Sequence, residues 1–329
     1  MGVIVFSSLK GGVGKTSLSL NVAHAFAFRG CKTLLIDLDP AGHATSVCRQ
    51  GTERAGSPQG SPLARLFLSQ DGAHEFAGVD SERLPVSDLE LIVPVRPYFE
   101  LLSAGAELRY FFWGQGPRAF IRFFPRLMAE LKAHYDHIVI DTPPDLNVLT
   151  RNAIAVGDVV AVPVDSSRMS ILSLEELIIS CQHIKGPTWS ICRTMVNHQA
   201  TRVRRLSSSR LGANLDLHGD NEHGDESAGR AASGFIDMLR EQEEARVSTP
   251  AHGGENDNSP IYLLKTMVSR TENQNRLTFQ GKTAFDSRAT SKLAAEYLGV
   301  ARELERILEL SCPEPLEDSD NSMYLNQLL

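Results

Sequence analysis

The chain has 329 residues, enough for one large domain or two small ones. Its 42% hydrophobic and 22% charged content supports a sizeable core in an ordinary soluble protein. A net charge of −7 argues against a uniformly basic nucleic-acid binder and leaves room only for a local basic patch.

From the N-terminus, the first element is the apolar, β-branched run Val3-Ile4-Val5-Phe6, a strand. The glycine loop Lys10-Gly11-Gly12-Val13-Gly14-Lys15-Thr16-Ser17 follows it, and a helix is predicted from Leu18 to Phe28. Strand, glycine loop and helix form the setting of a phosphate-binding loop, in which backbone N–H groups and the helix N-terminus face an anion. Lys15 is predicted to reach the β- and γ-phosphates, and the Thr16 hydroxyl to ligate Mg²⁺. The common pattern carries a glycine six residues before its lysine. Leu9 stands at that position here, with a second lysine, Lys10, beside it.

Further strands are expected at Thr33–Ile36, Leu89–Val93, His137–Ile140, Val159–Pro163, Ser190–Val196 and Ile261–Met267. Short apolar runs separated by helices predict an α/β fold: a doubly wound, mostly parallel sheet with helices on both faces and ligands at the carboxyl ends of the strands. Two of these ends carry acids. Ile36 leads into Asp37-Leu38-Asp39-Pro40-Ala41-Gly42, and Ile140 into Asp141-Thr142-Pro143-Pro144-Asp145. A carboxylate at the end of an apolar strand is costly to bury alone, and a hydrated Mg²⁺ or a polarised water offsets that cost. Asp141 is the expected holder of Mg²⁺ through water, and Asp39 the residue that orients the attacking water.

Gly51–Pro62 reads as a loop. Ser207–Pro260 reads as an acidic, flexible insert: from Asn214 to Asn258, eleven acids face three arginines, a net of −8. A short amphipathic helix is expected within it at Gly234–Arg240. The five cysteines (Cys31, Cys48, Cys181, Cys192, Cys312) are scattered without a C-x-x-C pair, which suits buried thiols and speaks against disulfides, structural zinc or a ligated cluster. Without an 18-residue apolar run or a secretory leader, the expected location is cytoplasmic, with no membrane role. The expected organisation is one ATPase domain over residues 1–312, carrying the insert at about 207–260, and an acidic tail over 313–329.

The loop with its extra lysine, the Leu35–Thr45 segment and the Tyr135–Pro144 segment together resemble the ParA/MinD family of deviant Walker-type ATPases, ParA-type partition ATPases above all. The family's second motif usually carries glutamine where Ala41 stands here. The resemblance covers roughly residues 1–205 and 260–310 and implies an ATP-dependent homodimer that binds ATP and Mg²⁺. Lys10, Gly11, Gly12, Val13, Gly14, Lys15, Thr16 and Ser17 would hold the phosphates, with Lys10 reaching into the partner's site. Asn197 would meet the adenine. Asp39, like Asp141, would hold the metal through water. The implied activity is slow, partner-stimulated ATP hydrolysis, with Lys10, Lys15 and Asp39 catalytic.

The resemblance further implies non-specific DNA binding by the ATP dimer through Arg276, Arg270 and Lys282, association with the nucleoid, and a ParB-like or other activating partner. Its function would be to position or partition DNA or a large cargo. The alternative is an ATP-driven dimer switch that recruits a protein effector without DNA transport. An iron–sulfur role is disfavoured by the cysteines, and a membrane switch by the acidic tail. No helix-turn-helix precedes the loop, which disfavours operator-specific repression.

Overall fold

A computed structural model of the chain describes residues 1–50, 92–112, 116–196 and 260–308. The expectations for Gly51–Pro62, Asn197, the acidic insert with its short helix, and the tail over 313–329 lie outside these residues.

Eight strands form one sheet in the order β3-β4-β2-β5-β1-β6-β7-β8. They are β1 (Gly2–Phe6), β2 (Thr33–Asp37), β3 (Ile92–Arg96), β4 (Phe99–Leu102), β5 (His137–Asp141), β6 (Val159–Val164), β7 (Thr188–Val196) and β8 (Ile261–Ser269). Every pairing is parallel except β3 with β4. The helices among the described residues are α1 (Lys15–Phe28), α2 (His43–Gln50), α3 (Gly116–Lys132), α4 (Val148–Val156), α5 (Arg168–Cys181), α6 (Glu272–Phe279) and α7 (Ser291–Ile307), the last two following β8.

The central strands β1 and β6 carry no polar side chain because both of their faces are covered. In β1, Val3 and Val5 face one layer with Phe120, Phe124 and Leu127 of α3, Leu149 of α4 and Leu174 of α5. Ile4 and Phe6 face the other, with Val22 and Phe26 of α1 and Tyr297 and Leu304 of α7. The two-residue period of a strand produces this division without any polar alternation. Helix α1 lies between the sheet and α7 and is buried on nearly all sides, which explains why its sequence shows no polar face.

Of the third predicted strand, Leu89–Val93, residues 89–91 lie outside the described residues. Ile92 and Val93 begin the edge strand Ile92–Arg96, antiparallel to β4, and it is β4, which the sequence reading did not pick out, that continues the parallel ladder beside β2. Pro94 is tolerated because β3 is an edge. Residues Pro97 and Tyr98 turn the chain, Tyr98 at φ 60°. The cysteine reading holds for Cys48, Cys181 and Cys192, which are buried free thiols. It fails for Cys31, which is disulfide-bonded. No helix among the described residues is long and apolar enough to cross a membrane.

His24 of α1 is a buried polar anchor. Its Nδ1 lies 2.6 Å from Thr283 Oγ1, and its ring stacks on Phe99 at 5.7 Å. Burial, reinforced by the Arg96 charge and opposed by Asp286, pushes its pKa down to about 3. An unfolded histidine titrates near 6.5, so between pH 6.5 and 3 the unfolded chain binds a proton that the folded chain refuses. His24 therefore costs stability as pH falls below 6.5. In urea titrations at pH 7 and pH 5, His24→Gln is expected to lose about 2 kcal/mol less than the unsubstituted chain. Equal losses would contradict a buried, neutral His24.

Candidate nucleotide site

The site lies at the carboxyl ends of β1, β2, β5, β6 and β7. Gly12 and Gly14 take φ values of 77° and 86°, a region costly for any residue with a Cβ. Gly14 also caps α1, whose first turn carries neither a side-chain cap nor an acid. A Cβ added at Gly11 or Gly12 would meet nothing within 4 Å. The loop thus curls around open space, with the amides of an uncapped helix at its edge, as an anion cradle requires. The helix begins at Lys15 rather than at Leu18, because Leu18 N–H already bonds to Gly14 carbonyl at 2.8 Å.

Lys15 is only 7% exposed. Its Nζ donates to the Thr142 carbonyl and lies 3.8 Å from Asp141 Oδ1. The Thr142 hydroxyl in turn bonds to the Phe6 carbonyl at 2.9 Å, tying the loop after β5 to the end of β1. Asp141 is fully buried, and neither of its oxygens has a hydrogen-bond partner among the described residues. Burial raises its pKa, while Lys15 and the nearby Thr16 and Ser19 hydroxyls favour the charged form. A buried carboxylate beside a lysine, with its own oxygens unmatched, fits the water shell of a divalent cation.

Parallel pairing sets Asp37 of β2 beside Asp141 of β5. Asp37 accepts from Thr45 N at 2.9 Å, Thr45 Oγ1 at 2.8 Å and Asp39 N at 3.1 Å. Burial, with the charge of Asp141, pushes its pKa up to about 7 against these bonds. Its place is that of an anchor for the turn carrying Asp39. Asp39 is 7% exposed and accepts the Ala41 N–H at 2.9 Å.

Of the predicted site residues, the fold brings Lys10, the glycine loop, Lys15, Thr16, Ser17, Asp39 and Asp141 to the same ends of adjacent strands. Arg270, Arg276 and Lys282 are exposed and lie on α6 or within three residues of its ends. Two supports of the loop escape sequence reading, the β7 pair Thr194 and Met195 and, after β6, Asp165. Thr194 of β7 donates to the Val13 carbonyl at 2.7 Å, and Met195, at φ 57°, packs against Gly14. A left-handed methionine is strained, and here it supports the loop from behind. The other is Asp165, which pairs with Lys10 at 2.7 Å. Neither has a local pattern to betray it.

A family model described as an AAA domain matches residues 1–190, and the chromosome-partitioning ATPase Soj of Thermus thermophilus is 32% identical over 186 residues, 56% of this chain and 62% of that protein. The chain belongs to the ParA/MinD family. Its match spans less than two thirds of the length of the Soj relative. Solved structures of the family share the fold. A chain of the MinC:MinD cell division protein complex from Aquifex aeolicus aligns with a TM-score of 0.61 at 17% identity, covering 97% of this chain and 99% of that one. A plasmid partition protein from Borrelia burgdorferi bound to AMPPNP aligns at 0.57 and 17% identity, covering 93% and 98%. The doubly wound, mostly parallel sheet of this ParA/MinD member is the fold it shares with these structures.

Proposed function

We propose that the chain is an ATPase that dimerises on ATP and uses the dimer to position or partition DNA or another large cargo. The observation that carries this reading is the pairing of a preformed phosphate cradle with two lysines of different placement. Lys15 is buried against Asp141, ready for the phosphates of its own chain. Lys10 is a quarter exposed at the rim, where it is available to a second copy. A lysine supplied in trans neutralises charge on the phosphoryl group in flight, so hydrolysis waits for dimerisation and for a partner that stabilises the dimer.

Within each site the cradle amides and Lys15 orient the phosphates. Thr16 would hold Mg²⁺ directly, Asp141 and Asp39 through water; when bound, the ion neutralises charge on the β- and γ-phosphate oxygens. Asp39 would accept a hydrogen bond from the attacking water and aim it. Asn197 remains the proposed adenine contact. The domain is read as residues 1–312, with the acidic insert and tail as places for an activating protein of the ParB type. The Soj relative is named a chromosome-partitioning ATPase, and the Borrelia protein was captured with an ATP analogue. Both support the reading.

DNA binding rests on Arg276, Arg270 and Lys282, and it implies residence on the nucleoid. Anisotropy of a labelled duplex tests it. With ATP, binding is expected at low salt and is expected to fall with a log–log slope of roughly −0.9 per phosphate neutralised. Arg276→Glu should weaken it at least about tenfold while sparing hydrolysis. An ATP-loaded chain that ignores DNA at low salt would leave the switch that recruits a protein effector in its place.

A further inference from the structure

Lys10 is engaged within its own chain. Its ammonium donates to Asp165 Oδ2 and to Ser167 Oγ, each at 2.7 Å. Both acceptors follow β6 in the same chain, 155 and 157 residues away. They are held firmly. Asp165 Oδ1 accepts Ser167 Oγ at 2.7 Å and Ser167 N at 3.0 Å, and Asp165 N donates to Ser170 Oγ at 3.2 Å. The Ser167 hydroxyl caps α5 by accepting from Ser170 N at 3.3 Å. It therefore gives its one proton to Asp165 and both lone pairs to Lys10 and the helix, which uses its full bonding capacity.

A loose surface ion pair is worth little, largely because two mobile side chains must be ordered. Here the carboxylate is fixed before the lysine arrives, so only Lys10 loses freedom. Burial would raise the Asp165 pKa, but the bonds from Lys10 and Ser167 outweigh it and hold the carboxyl below its usual range. The acceptor is thus charged at neutral pH.

We infer that Asp165 is a positioning residue for Lys10: it holds the lysine within its own chain until a second ATP-loaded copy offers phosphate oxygens that compete for the ammonium. This rests on the proposed role of Lys10 in trans. The hold sets a threshold. It opposes dimerisation at low ATP and keeps the charge of Lys10 away from phosphate in the lone chain.

Asp165→Asn tests it, because the amide oxygen still accepts from Ser167 while the charge is gone. The first readout needs no nucleotide: the rate at which acetic anhydride labels Lys10, followed by mass spectrometry. Release should raise that rate roughly three- to tenfold, and an unchanged rate overturns the hold whatever Lys10 does in the dimer. The second readout is the ATP concentration at half-dimerisation, which should fall by a similar factor in Asp165→Asn but not when Lys10→Ala is also present. A threshold that rises, or that shifts equally without Lys10, contradicts the proposal. If Lys10→Ala alone dimerises like the unsubstituted chain while labelling still rises, the failure lies in the trans role, and the threshold falls with it.

Discussion

Lys15→Ala should lower ATP affinity at least about a hundredfold, because the side chain supplies two charge-assisted hydrogen bonds of roughly 1.5–3 kcal/mol each. Lys15 is buried at the site, where its bond to the Thr142 carbonyl and its 3.8 Å approach to Asp141 compensate the charge only in part. A buried ammonium with spare donors is preorganised for an anion. The substitution also leaves Asp141 buried without its counter-charge, so thermal melting should accompany the titration of a fluorescent ATP analogue. A folded variant with intact affinity would overturn the loop assignment. Lys15→Arg should not restore binding, since a planar guanidinium cannot follow the path of a slim amine to Thr142.

Asp39→Ala should separate binding from turnover. ATP affinity is expected to persist, because the cradle and Lys15 do not involve Asp39. Hydrolysis should fall by about 10²–10⁴, the usual worth of a group that orients and deprotonates a nucleophile. The cost to the fold is small: one bond to Ala41 N–H is lost, while Asp37 still anchors the turn through Thr45. On the proposed reading, ATP that is bound but not consumed should keep the dimer assembled. Asp39→Asn retains the acceptor for Ala41 and should be equally slow, which isolates the charge as the cause. Normal turnover in both variants would exclude Asp39 as the water-orienting residue.

Much of the site was legible because it is local in sequence. Strand, glycine loop, lysine and helix lie within residues 3–28, and the acids Asp39 and Asp141 each follow their strand directly. Apolar runs identified the central strands because a strand buried on both faces needs no partner to show its character. The β3–β4 hairpin was not legible: Phe99-Glu100-Leu101-Leu102 is too short and too mixed to stand out, and its place beside β2 is set by sheet register. Asp165 and Thr194 were missed for a related reason. Each meets the phosphate loop across 155 or 181 residues, and only the adjacency of β1 and β6, with β7 next in order, brings them there. The Asp37 anchor belongs only partly to this class: its partner Thr45 lies eight residues on, whereas its neighbour Asp141 is brought to it by the ladder.

The central claim is that ATP, held by this loop, makes the chain a dimer. Light scattering of Asp39→Ala with Mg²⁺ and ATP tests it most directly, because hydrolysis no longer empties the site. The account predicts a mass of twice the 36.1 kDa chain with ATP and a single-chain mass with ADP. A single-chain mass in saturating ATP, with nucleotide bound, would contradict it.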